Sequence, residues 1–168
     1  MSISARLIRR LGVRRSDLDL KESESEMRFL VMVKANKDSE AGSLPTQEML
    51  AEMGKFNDEL VKAGVMLAGE GLQASSKGAR ITYASNKRTV RDGPFAETKE
   101  LVAGFWIWQV KNKAEALEWA KRIPFQEGEV EIRQIFEAED FGPAFTPELR
   151  QQEERQRATI AKNKQRSG

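Results

Sequence analysis

Asp92 heads the most chemically suggestive stretch of this chain, Arg91-Asp92-Gly93-Pro94-Phe95-Ala96-Glu97-Thr98-Lys99-Glu100. A turn-former, a rigid ring, one large apolar anchor and several ionisable side chains suit a shaped surface loop better than a plain connector. A bend that presents Asp92 into a cleft makes its carboxylate a catalytic acid or base. The plainer reading has Asp92 accept backbone N–H groups while Gly93 turns the chain, Pro94 stiffens it and Phe95 plugs into the core. Glu97 and Lys99 lie two apart, so extended chain puts them on one side. They form either a surface ion pair of little worth or, in a closed pocket, a grip on a zwitterionic or anionic ligand. Glu70, between Gly69 and Gly71, is the second candidate carboxylate, because flanking glycines let backbone or ligand approach closely. Convergence of Glu70 with Asp92 would raise the pKa of one and leave the other as base. A tight turn with a solvated Glu70 is the alternative. Arg80, Arg88 and Arg91 can bind an anion with Arg91 beside Asp92, or simply guard a strand edge against aggregation.

The missing residue types narrow the chemistry. The chain has no Cys and no His. Thiolate catalysis, disulfides, Cys-ligated metals and imidazole acid–base work are thereby removed. Proton transfer falls to Asp, Glu, Lys or the lone Tyr83. No phosphate-binding glycine loop, nucleophile motif or metal-ligand set stands in the sequence. The expectation is no metal and no cofactor, with any catalysis being cofactor-independent acid–base chemistry; whether the protein is an enzyme stays open.

Positioning these residues requires a folded frame, and the pattern predicts one. A chain of 168 residues, 39% hydrophobic and 32% charged, suits one soluble domain with appendages. Phe29 to Lys34 reads as a buried strand. Thr46 caps a helix carrying Met49, Met53, Phe56 and Leu60, and Gly64 stops it. Val65 to Ala68 is a short strand, and Ala79 to Tyr83 with Arg88 to Arg91 make a hairpin. Phe105 to Val110 is a strand. Asn112 caps a helix with Ala116, Leu117, Ala120 and Ile123, ended by Pro124. Val130 to Phe136 is the last strand. This order predicts an α+β domain, a ferredoxin-like antiparallel sheet with an inserted hairpin. Phe105-Trp106-Ile107-Trp108 is apolar on both strand faces. Helices cover one face, so two tryptophans left on the other predict a homodimer with the sheets packed together.

Two charged segments flank the domain, assigned here to residues 27–140. Residues 1–26 form a basic arm and linker, with Ile3, Leu7, Ile8 and Leu11 on one helical face. They read as a membrane-surface helix or presequence, or as a frayed arm before a true start at Met27. Residues 141–168 form a basic extension, pinned by Phe141 and Phe145 and opened as a helix by Thr146-Pro147-Glu148. The net charges of the three segments are +1, −2 and +3. Strong nucleic-acid binding is not expected of the slightly acidic domain. No apolar run reaches the ~20 residues of a membrane span, and a cytoplasmic location is expected.

Several blocks together resemble a known family over residues 27 to about 137. They are Met27-Arg28-Phe29-Leu30, Gly64-Val65 with Gly69-Glu70-Gly71-Leu72, Asp92-Gly93-Pro94-Phe95, Leu117-Glu118-Trp119-Ala120 with Ile123-Pro124, and Val130-Glu131-Ile132-Arg133. The pattern resembles the YCII-related domain family, in its DGPF-type branch. The resemblance implies a dimeric α+β barrel of ferredoxin-like subunits. It also implies a His-Asp acid–base pair in a pocket at the sheet, of which only Asp92 carries over to this His-free chain. Two functions follow as expectations. One is binding of a small polar or anionic molecule near the signature loop by Glu97, Lys99, Arg91 and Arg80, with Asp92 and Glu70 as catalytic carboxylates. The other, implied by the resemblance, is a non-catalytic accessory or regulatory role beside an extracytoplasmic-function sigma factor.

Overall fold

The computed structural model describes residues 26–97 and 100–166. They belong to two compact units, one ending at Gln134 and one beginning at Ile135. The amphipathic reading of the arm before Glu26 lies outside the described residues.

The first unit opens with β1 (Met27–Lys34), whose alternate residues Phe29 and Val31 are fully buried. A single turn, α1 (Lys37–Glu40), starts from a reciprocal cap between Asn36 and Ser39. Helix α2 (Gln47–Lys62) begins where Thr46 Oγ1 accepts the Met49 N–H at 3.2 Å. It buries Phe56 and Leu60, and Gly64 ends it at φ 72°, the left-handed geometry that favours glycine. Strand β2 (Met66–Gly71) follows, then a short 3-10 turn (Ser75–Lys77), the hairpin β3 (Ala79–Ala84) and β4 (Lys87–Asp92), and β5 (Val102–Val110). Helix α3 (Lys113–Ala120) is capped by Asn112, whose Oδ1 accepts the Glu115 N–H at 3.0 Å. It ends three residues before Ile123, which is nonetheless buried in the following turn. Strand β6 (Val130–Gln134) closes the unit.

Four strands form one antiparallel sheet in the order β2-β5-β1-β6, while β3 and β4 pair only with each other. The fold is α+β, and the strand order is that of a split β-α-β unit with the hairpin inserted between its second and third strands. The sheet is open and no barrel closes among the described residues. Its core joins Phe29 and Val31, Phe56 and Leu60, Val65, Val110, Ala116 and Ile123 to both tryptophans of β5.

That last point corrects the expectation drawn from the tryptophans. Trp108 is fully buried and Trp106 is 6% exposed within the single chain. Both lie on the same face of β5 as Gly104 and Val110, packed edge-on against Phe56 at 6.4 Å between ring centres. A period of two puts both on one face, and α2 covers it. The opposite face carries the half-buried Phe105 and Ile107 beside Leu30 and Met32 of β1.

The second unit contains a short 3-10 segment (Ala138–Ala144) and helix α4 (Pro147–Arg166). Phe136, Phe141 and Phe145 stack in series, with ring centres 5.2 and 5.6 Å apart. Arg150 lies over the Phe145 ring and pairs with Glu139 at 3.2 Å. Helix α4 buries no residue.

Candidate functional site

The signature loop is fixed by its backbone. The Gly93 N–H donates to Gly78 O at 3.0 Å and the Phe95 N–H to Ser75 Oγ at 3.1 Å. Ser75 in turn donates through N–H and hydroxyl to the Glu40 carboxylate, the latter at 2.5 Å. A Cβ on Gly93 would stand 1.8 Å from Ser75 O, so only glycine allows this approach. The Gly93–Pro94 bond is cis. Asp92 does not cap the bend: it is exposed at the end of β4 and makes no side-chain hydrogen bond or ion pair among the described residues. Glu40 takes the anchoring role instead.

Phe95 is half-buried rather than seated in the core. Arg80 lies over its ring at 4.0 Å and Arg91 at 5.6 Å, an arrangement in which cations meet the negative ring face. Arg80 also pairs with Glu97 at 3.2 Å. The Glu97 carboxyl is held below the usual carboxylate range, first by its own backbone N–H and then by Arg80. Lys99, with Thr98, lies outside the described residues.

The cleft with the character of a ligand site lies elsewhere, between α2 and the β2–β5 edge. It encloses about 330 Å³, near the lower end for small-molecule sites. Its walls include Met49, Leu50 and Met53 of α2, Val33, Trp106 and Phe125. Gly71 and Gly104 face each other across β2 and β5 and pave the floor with bare backbone; a Cβ at Gly71 would meet nothing within 4 Å. Asn57 supplies the polar side chain. Its Oδ1 accepts the Trp106 indole N–H at 3.0 Å. An indole N–H only donates, so the amide oxygen must face it and the amide NH₂ remains for an acceptor.

Glu70 borders this cleft, but strand alternation sets it apart from the floor. It pairs with Phe105 on the open sheet face, while Gly69 and Gly71 pair with Trp106 and Gly104 on the helix face. Asp92, Glu97, Arg80 and Arg91 do not line the cleft. Asp92 therefore does not join Glu70 at this cleft. Asn57 is what sequence reasoning missed. Its signal was an amide beside Phe56 on the stripe Met53, Phe56 and Leu60 that faces the core.

A second, wider cavity of about 570 Å³ adjoins the first and shares Val33, Met49 and Phe125 with it. Its rim carries Lys34, Glu100, Glu127 and Glu129. Lys34 donates to Glu131 at 3.0 Å and lies 4.0 Å from Glu100. The Glu131 hydrogen bond raises the Lys34 pKa against the opposing effect of burial. Among the described residues no helix is long and apolar enough to cross a membrane.

Comparison with known proteins covers the stretch that holds the sheet and the sequence blocks. An uncharacterized protein of Rhizobium meliloti (strain 1021) is 28% identical over 77 residues, covering 46% of this chain and 62% of that protein. The chain thus spans less than two thirds of this relative's length. The model of the YCII-related domain matches residues 27–139, well over half of the sequence, and the chain belongs to that family.

Proposed function

We propose that this protein binds a small molecule in the cleft between α2 and the β2–β5 edge. The observation that carries the reading is the glycine-floored cavity with methionine, leucine and tryptophan walls and one amide donor at Asn57. Such a site suits a largely apolar molecule bearing a hydrogen-bond acceptor, rather than the polar or anionic ligand expected at the signature loop. The Asp92-Gly93-Pro94-Phe95 run is taken as the mark of the DGPF-type branch, with a structural role in the bend. Glu70 lies on the open face and Asp92 outside the cleft, so this reading gives neither carboxylate a catalytic role.

The family resemblance and the apolar stripe Leu30, Met32, Phe105 and Ile107 support a homodimer closed sheet to sheet. A light-scattering mass of one chain at micromolar concentration would count against it.

Trp106 provides the binding test, because its indole lines the cavity. Titration with an uncharged naphthylamine probe should change tryptophan emission in the wild type. Gly71→Val should abolish the change by filling the floor while leaving the circular dichroism spectrum intact. An equal response in both proteins removes the cleft as the site.

The accessory reading keeps one supporting feature, the long α4 with no buried residue, as a surface for a regulatory partner such as a sigma factor. A pull-down from the native host that recovers the same partners after deletion of residues 147–168 would argue against α4 as that surface.

A further inference from the structure

The β3–β4 hairpin presents a face that nothing among the described residues covers. Register puts Arg80 opposite Arg91 on one side, where both arginines close over Phe95. The other side pairs Ile81 with Val90 and Tyr83 with Arg88. Those apolar groups are bare: Ile81 is 52% exposed, Val90 62% and Tyr83 68%. A two-stranded ribbon is marginal alone in water, and its apolar face calls for cover.

Charge points to the occupant. Arg88 stands on this apolar side at the tip, beside Tyr83, with Asp92 at the far end, while Lys87 shares the side of Arg80 and Arg91. The matching surface lies on the same chain. The wider cavity has Val33, Met49 and Phe125 as apolar lining, and at its rim the exposed Glu100, Glu127 and Glu129 outnumber Lys34. One chain thus carries an apolar ribbon with a basic tip and an apolar hollow with an acidic rim. Two copies about a two-fold axis satisfy both at once.

We propose that the uncovered hairpin face docks on a second copy of this chain, with Ile81, Tyr83 and Val90 over the wider cavity and Arg88 against Glu127 and Glu129. The inference rests on the homodimer reading above and adds to it a place and a charge pairing. The hairpin contributes nothing to the buried core, so its variants leave the main sheet folded.

The test is sedimentation equilibrium on the full chain. Ile81→Thr with Val90→Thr should weaken the dimer by about tenfold or more, as should Arg88→Glu. The rim change Glu127→Lys with Glu129→Lys should weaken it likewise. Combining both charge reversals should restore most of the affinity. Raised salt should weaken the wild type, and the threonine pair should show the same salt dependence because its charges are intact. A monomeric wild type overturns both the dimer and this docking. A dimer indifferent to the hairpin variants overturns the docking and leaves the sheet-to-sheet dimer standing. Weakening by each reversal without restoration in the combination also overturns it, because the hairpin would then meet some other surface.

Discussion

Trp106 and Trp108 stand two residues apart on one face of β5, yet their indole N–H groups have different surroundings. Trp106 donates to Asn57, whereas buried Trp108 Nε1 has no partner among the described residues. Trp106→Phe leaves the Asn57 oxygen unsatisfied, at a cost of about 1–3 kcal/mol. Trp108→Phe removes an orphan donor. Urea melts should therefore show the larger loss for Trp106→Phe, although Trp108 is the more buried; the reverse order would refute the assignment. Glu97 makes a second residue-scale prediction. Its folded pKa is depressed, so its contribution is present above the unfolded value and lost as pH falls through the folded one. Acidification below the usual carboxylate range should release Arg80 and lower the protection factor of the Phe95 amide, taken against intrinsic exchange at the same pH. In Glu97→Gln that acid step should vanish. The chemistry of these residues was visible in the sequence, but their partners were not. Glu40 and Ser75 meet across 35 positions and no local spacing announces them.

Elements were legible where local chemistry decides them. Thr46 and Asn112 cap helices, Gly64 ends one, and Ser85-Asn86 turns the hairpin, with Ser85 at φ 51°. Asn112→Ala should cost about 1 kcal/mol in thermal or chemical melts. The choice of covered face on β5 was not legible, because Phe105 and Ile107 are as apolar as the tryptophans beside them. Only packing against Phe56 distinguishes the two sets. The cleft was hidden for a similar reason, since its floor exists only once β2 and β5 register Gly71 against Gly104. The signature bend depends on a contact of the same kind. Gly93→Ala drives a methyl into Ser75 O and should cost about 1–3 kcal/mol. Exchange protection at Phe95 should fall with it, while β1 and β5 amides stay protected.

At the scale of the molecule, an antiparallel sheet has spent one face on α2 and α3 and keeps an apolar stripe on the other. A charged residue in that stripe tests the consequence. Ile107→Lys should shift light-scattering mass toward one chain with near-unchanged far-ultraviolet dichroism, and a dimer that persists would place its interface elsewhere. The glycine floor has an implication for shape. The facing glycines of two neighbouring strands, Gly71 and Gly104, offer a bare patch of peptide groups against which a rigid ring can lie in full contact. A branched aliphatic of the same volume touches it only at its tips. Uncharged aromatic probes should then outbind branched alkyl ones of equal size, and that preference should vanish when a methyl is set on the floor by Gly71→Ala.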